Sequence, residues 1–131
     1  TPNRSEAEEL TGVAVTDMES AAKAASALVE MGAQWALVKG GHGEGEPVDV
    51  LSDGSRVIEF SGKRIERNMH GTGCVLSAAI AARLAQGDDV PGAVSFAKDY
   101  VSRAIERSVR LGKGKLDYFA GACASCPTAG L

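Results

Sequence analysis

Two glycines, Gly71 and Gly73, stand directly before a long alanine-rich run that begins at Val75 and reaches Leu84 before Gly87. Val75, Leu76, Ala79, Ile80, Ala82 and Leu84 make that run apolar on most sides, which predicts a buried helix opening around Thr72–Cys74. Glycines at such a place let the backbone approach a ligand and adopt positive φ without steric cost. The first N–H groups of a helix have no partner inside it and lie at the positive end of its dipole. His70-Gly71-Thr72-Gly73-Cys74 therefore has the makings of an anion cradle, although an ordinary glycine-rich loop before a helix has the same local pattern.

The rest of the chain alternates helix and strand patterns, and its 16 glycines cluster where elements should end. A short helix is expected near Ser5–Leu10, closed by Gly12. A second begins at Thr16, with Glu19 three residues on in a capping-box pattern. Its apolar positions are Met18, Ala21, Ala22, Ala25, Leu28 and Val29, and Gly32 stops it. Trp35–Val38 reads as a buried strand ending at Lys39-Gly40-Gly41. Val48–Leu51 and Arg56–Phe60 flank Ser52-Asp53-Gly54-Ser55 and read as a β-hairpin, with a third short strand near Arg64–Ile65. Pro91 sits near the first turn of a last helix, where its missing N–H costs little. Val94, Ala97, Val101, Ala104 and Ile105 stripe that helix, and Gly112 is expected to end it. Helices interleaved with strands in this order predict an α/β layer arrangement. The segment 120–131 is rich in small residues and is expected to be a loose tail.

Composition excludes several function classes. With 131 residues, 44% hydrophobic and 24% charged, the chain has the size and balance of one globular domain rather than a disordered one. A net charge of −3, with no basic stripe or aromatic platform, gives nucleic-acid binding little support. No apolar run approaches the ~20 residues that span a bilayer, and no signal-peptide pattern precedes the first helix. Cys74 is remote from Cys123 and Cys126, so the three cysteines are no disulfide framework and fit a reducing cytoplasm better. Cys123-Ala124-Ser125-Cys126, without a second such pair or a histidine pair, reads as tail rather than metal site. The chain opens at Thr1 in what reads as a strand exit, and is expected to be part of a longer protein.

Three further groups carry candidate chemistry. Cys74, in the first turn of its helix, is placed to take a proton from a substrate hydroxyl or simply to shape the cradle. The bland alternative is a small buried hydrophobe, as most free cysteines are. Asn3 and Glu6 stand three residues apart at a helix start, an oxygen pair suited to Mg²⁺ through retained waters, but equally a standard helix cap. Taken alone, the cap is the stronger reading. Lys39 ends a strand that runs into Gly40-Gly41-His42-Gly43, where it can reach phosphate oxygens or stand solvated beside a loop. His42 reads as a loop histidine, and two histidines without helical pairing disfavour zinc hydrolase chemistry.

These glycine-bearing sites in this order resemble the ribokinase superfamily, and more narrowly the hydroxymethylpyrimidine/phosphomethylpyrimidine kinases of thiamine biosynthesis. Thr1-Pro2-Asn3 with Glu6, Leu37-Val38-Lys39-Gly40-Gly41-His42 and His70-Gly71-Thr72-Gly73-Cys74 carry the resemblance, continued by Leu76–Ala81 and Ala97–Val101 and reaching about Phe119. It implies a ribokinase-like three-layer α/β/α fold, here only its carboxyl-terminal portion, over residues 1–119. It also implies a kinase that uses ATP and Mg²⁺ on the hydroxymethyl group of 4-amino-5-hydroxymethyl-2-methylpyrimidine and then on its monophosphate. Carried over, Gly71, Thr72, Gly73 and Cys74 form the anion hole, with Cys74 at the catalytic position. Asn3 and Glu6 organise Mg²⁺ and phosphate, Lys39 and Gly41 lie along the ATP phosphates, and Lys98 and Val101 border the adenine. The family's domain is about twice as long, and its amino-terminal half holds the pyrimidine pocket. This chain alone is thus expected to lack substrate binding and to expose apolar sheet surface that needs a partner or the missing half; a homodimer is left open. Pyridoxal kinase, a non-catalytic nucleotide- or phosphate-binding module and a purely structural fragment are the alternatives.

Overall fold

A computed structural model describes residues 1–40, 47–62, 65, 69, 71–110 and 117–118. The expected tail, Cys123, Cys126, Gly41, His42, His70, Arg64 and Gly112 lie outside the described residues. The chain forms two compact units, Thr1–Arg64 and Ile65–Leu131.

In the first unit, α1 (Arg4–Thr11) and α2 (Met18–Glu30) pack together, and α2 lies on a sheet of β1 (Ala36–Val38), β2 (Val48–Ser52) and β3 (Val57–Ser61). The sheet is antiparallel in the order β1-β2-β3, with Val38 opposite Val50 and Leu51 opposite Ile58. Ahead of α1, Asn3 bridges Lys39 in parallel sense, and the Lys39 N–H donates to the Pro2 carbonyl at 2.9 Å. Ala7, Ala21, Ala24 and Ala25 from the helices meet Ala36, Val38 and Val50 from the sheet in one buried cluster. Small helix residues allow a close approach to the sheet, and burying a valine there is worth ~1.5–3 kcal/mol.

Local chemistry explains where these elements begin and end. Gly12 takes φ 72° and its N–H donates to the Glu8 carbonyl, so α1 stops as expected. The cap of α2, however, is Asp17 with Ser20, not Thr16 with Glu19. Asp17 Oδ1 accepts from the Ser20 N–H at 2.8 Å, while Ser20 Oγ accepts from the Asp17 N–H at 3.0 Å. The Ser20 backbone and side-chain hydrogen bonds hold the Asp17 carboxyl below its ordinary pKa. Met18 is consequently exposed at the first helical position, whereas Ala24 is fully buried. The hairpin turns where expected, with Asp53 Oδ1 accepting from the Ser55 and Arg56 N–H groups and Gly54 at φ 88°. Ile65 lies in no strand, so its part of the expected third strand is not formed.

The second unit pairs α3 (Thr72–Ala85) with α4 (Val90–Glu106), and β4 (Val109–Arg110) pairs antiparallel with β5 (Asp117–Tyr118). Met69, just before the head of α3, bridges Asp117. Between the helices, Arg83 Nε donates to Asp88 Oδ2 at 2.7 Å while its guanidinium lies 4.5 Å over the Phe96 ring. Pro91 lies in the first turn of α4, capped by Asp89. The stripe of α4 is buried through Val94, Ala97, Val101 and Ala104.

Two expectations fail here. Helix α3 is not buried on most sides: only Leu76 and Ile80 are buried, and Leu84 is 39% exposed. Helix α4 ends at Glu106 rather than Gly112, because the Ser108 N–H turns back to the Ile105 carbonyl at 3.1 Å and Val109–Arg110 pair with β5. Among the described strand residues, Val57 of β3 and Val109 of β4 are exposed, whereas Leu37, Val38, Val50 and Leu51 of β1 and β2 are all buried. Among the described residues, no helix is long and apolar enough to cross a membrane.

Candidate functional site

The head of α3 differs from every other helix start among the described residues. Asn3, Asp17 and Asp89 each accept a backbone N–H into a side-chain oxygen, capping α1, α2 and α4. Helix α3 starts at Gly71, which has φ 85°, ψ 5° and makes no side-chain cap. Its intrahelical ladder begins with the Val75 N–H on the Gly71 carbonyl at 3.0 Å. The N–H groups of Thr72, Gly73 and Cys74 thus precede the first such bond and are left to meet a ligand or water. A Cβ added to Gly71 would find no atom within 4 Å, so the approach to this turn is open.

Cys74 is the third residue of α3, the place that Glu6 fills in α1 and Ser20 in α2. Those two side chains fold back on their own helix caps. Cys74 is a free, exposed thiol. That exposure removes the reading of Cys74 as a small buried hydrophobe. Further along the second unit, Val101 is buried in α4 and Lys98 is half-buried on the same helix.

In the first unit, the bridge to Asn3 brings Lys39 to the start of α1. Asn3 Oδ1 accepts from the Glu6 N–H at 2.9 Å, and Glu6 Oε2 accepts from the Asn3 N–H at 2.7 Å. The capping box expected of this pair is therefore formed. Glu6 remains exposed. Magnesium keeps several waters and needs only one or two carboxylates. An exposed Glu6 whose inner oxygen is tied in the cap fits a hydrated ion better than a directly ligated one.

One residue was missed by sequence reasoning. Asp49 lies in β2 among Val48, Val50 and Leu51, is only 7% exposed, and accepts the Gly40 N–H into Oδ1 at 2.8 Å. A carboxylate inside an apolar strand was the available signal. Among the described residues, no group of three or more His, Cys, Asp or Glu is arranged to hold a metal. Gly41 belongs to the expected phosphate side but lies outside the described residues.

Known proteins resemble this chain in sequence and fold. A family model described as phosphomethylpyrimidine kinase matches residues 1–118. The hydroxymethylpyrimidine/phosphomethylpyrimidine kinase of Streptomyces coelicolor is 47% identical over 115 residues, covering 87% of this chain and 43% of that protein. Among solved structures, an ADP complex of Bacillus subtilis pyridoxal kinase superposes with a TM-score of 0.82 at 32% identity, covering 90% of this chain and 47% of that one. Phosphomethylpyrimidine kinase from Clostridium difficile gives a TM-score of 0.67 at 33% identity, covering 79% and 41%. The mixed helix-and-sheet fold is thus that of the ribokinase-like kinases, and the chain spans less than half the length of these relatives. From Asn3 and Lys39 to the glycine-led head of α3, the chain belongs to the phosphomethylpyrimidine kinase family.

Proposed function

We propose that this chain supplies the nucleotide and phosphate side of an ATP-dependent kinase of thiamine biosynthesis. The whole enzyme phosphorylates the hydroxymethyl group of 4-amino-5-hydroxymethyl-2-methylpyrimidine and then its monophosphate. The observation that carries the reading is the head of α3, which opens on Gly71 without a side-chain cap and presents Cys74 exposed in its first turn. Phosphoryl transfer demands positioning and charge stabilisation more than covalent chemistry from the protein. The N–H groups of Thr72, Gly73 and Cys74 are preorganised donors for the transferring phosphoryl oxygens. Cys74 accepts the proton of the attacking hydroxymethyl oxygen, and Lys39 and Gly41 run along the ATP phosphates. Lys98 and Val101 border the adenine. Glu6, with Asn3, holds a hydrated Mg²⁺, which when bound neutralises phosphate charge. The ADP bound by the B. subtilis pyridoxal kinase supports nucleotide use here. An odd count of three cysteines, with Cys74 free, supports a reducing, cytoplasmic setting.

Pyridoxal kinase is the second reading, favoured by the superposition at TM-score 0.82. An assay of ADP release by the full-length protein that carries this chain separates the two, with hydroxymethylpyrimidine and pyridoxal as acceptors. Turnover of the pyrimidine above pyridoxal is expected, and turnover of neither ends the kinase assignment. Cys74→Ala is expected to lower kcat by about 100-fold or more, the usual scale for a lost general base. An undiminished rate would remove the thiol's role while leaving the rest.

A further inference from the structure

Strand β1 reaches the proposed phosphate side at Lys39, and what fixes the backbone there is a buried carboxylate from the neighbouring strand. The register that pairs Val38 with Val50 places Lys39 against Asp49 when continued by one residue. Asp49 Oδ1 takes the Gly40 N–H at 2.8 Å, in a position only 7% exposed. Gly40 itself is buried, and a Cβ there would fall on the Val48 carbonyl, so the two backbones meet with no room for a side chain. A carboxylate withdrawn from water is costly unless its oxygens are satisfied, and bonds to an ionised acceptor are the stronger kind. Asp49 therefore does more than fill a sheet position. It ties down the amide that joins Lys39 to Gly40.

We infer that Asp49 is a positioning residue for the nucleotide phosphates, holding the backbone that leaves Lys39 through the Gly40 amide and so setting the affinity for MgATP rather than for the alcohol. The inference rests on the placement of Lys39 along the ATP phosphates proposed above.

The test is steady-state kinetics on the full-length protein that carries this chain, with Asp49→Ala, Asp49→Glu and Asp49→Asn compared. Asp49→Ala removes the acceptor, and Asp49→Glu keeps the charge but moves the acceptor off the Gly40 amide. Each is expected to raise the KM for MgATP by about tenfold, the scale of a hydrogen bond to a charged group, with the KM for the alcohol unchanged. Asp49→Asn keeps an oxygen for the Gly40 N–H and is expected to restore the KM for MgATP to within about threefold of the parent. If Asp49→Ala does not fold, Asp49→Glu carries the same expectation. A folded Ala or Glu variant with an unaltered KM for MgATP would overturn the inference. So would equal rises in both KM values, or an Asn variant as impaired as the others. Lys39→Ala separates the two levels: if it leaves the KM for MgATP unchanged, the underlying placement of Lys39 fails, whatever Asp49 does.

Discussion

The heads of α2 and α3 solve the same problem in opposite ways. Every helix begins with backbone N–H groups that its own ladder cannot satisfy. In α2 the protein satisfies one of them itself, the Ser20 N–H on Asp17, in a reciprocal box that also takes the Asp17 N–H into Ser20 Oγ. In α3 it does not: Gly71 has no side chain to offer, and Cys74, at the third position, is exposed. A closed head contributes to stability and offers little to an incoming anion. An open one forgoes a cap, worth ~1 kcal/mol elsewhere, and leaves its first donors without a side-chain partner. On the function proposed above, the missing cap marks the end of α3 that meets phosphate, and the comparison teaches where to test that proposal.

Substitutions at the two kinds of head should therefore have opposite signatures. The largest effect is expected at Gly71→Ala. A Cβ there meets open space but sits on a backbone at φ 85°, so the turn must shift or bear strain. Misplacing the donors of the cradle should lower kcat of the full-length protein by about 100-fold, as loss of one oxyanion donor does. A folded variant with unchanged kcat would break the contrast. The smaller effect is expected at Asp89→Ala, which removes the α4 cap on the Gly92 N–H. That change should cost ~1 kcal/mol of stability in denaturant unfolding and leave kcat alone. A loss of kcat with no loss of stability would make α4's head functional as well.

Much of this was legible because it is local. Gly71 and Gly73 before an apolar run announced α3, and Asp53-Gly54 announced the hairpin, since turn and cap chemistry is written within a few residues. Thr16 and Asp17 both qualify as caps by type, and only the geometry of Ser20 decided for Asp17. The end of α4 was missed because the competing signal is nonlocal: β4 pairs with β5, seven residues on, before the chain reaches Gly112. The exposure of α3 was missed because alanine-rich composition is the same on a buried helix and on one that presents a face to solvent. Asp49 stood out only as a carboxylate in an apolar strand, and its role was hidden because Gly40 lies across the sheet with no periodicity connecting them.

The central claim, that the amides opening α3 hold phosphate, is tested most directly by residue-resolved NMR of the full-length protein during titration with MgATP. Saturable amide shifts at Thr72, Gly73 and Cys74, with Met18, Glu19 and Ser20 at the capped head of α2 unmoved, are the result expected. Silence at the three α3 amides while nucleotide binds elsewhere would contradict it.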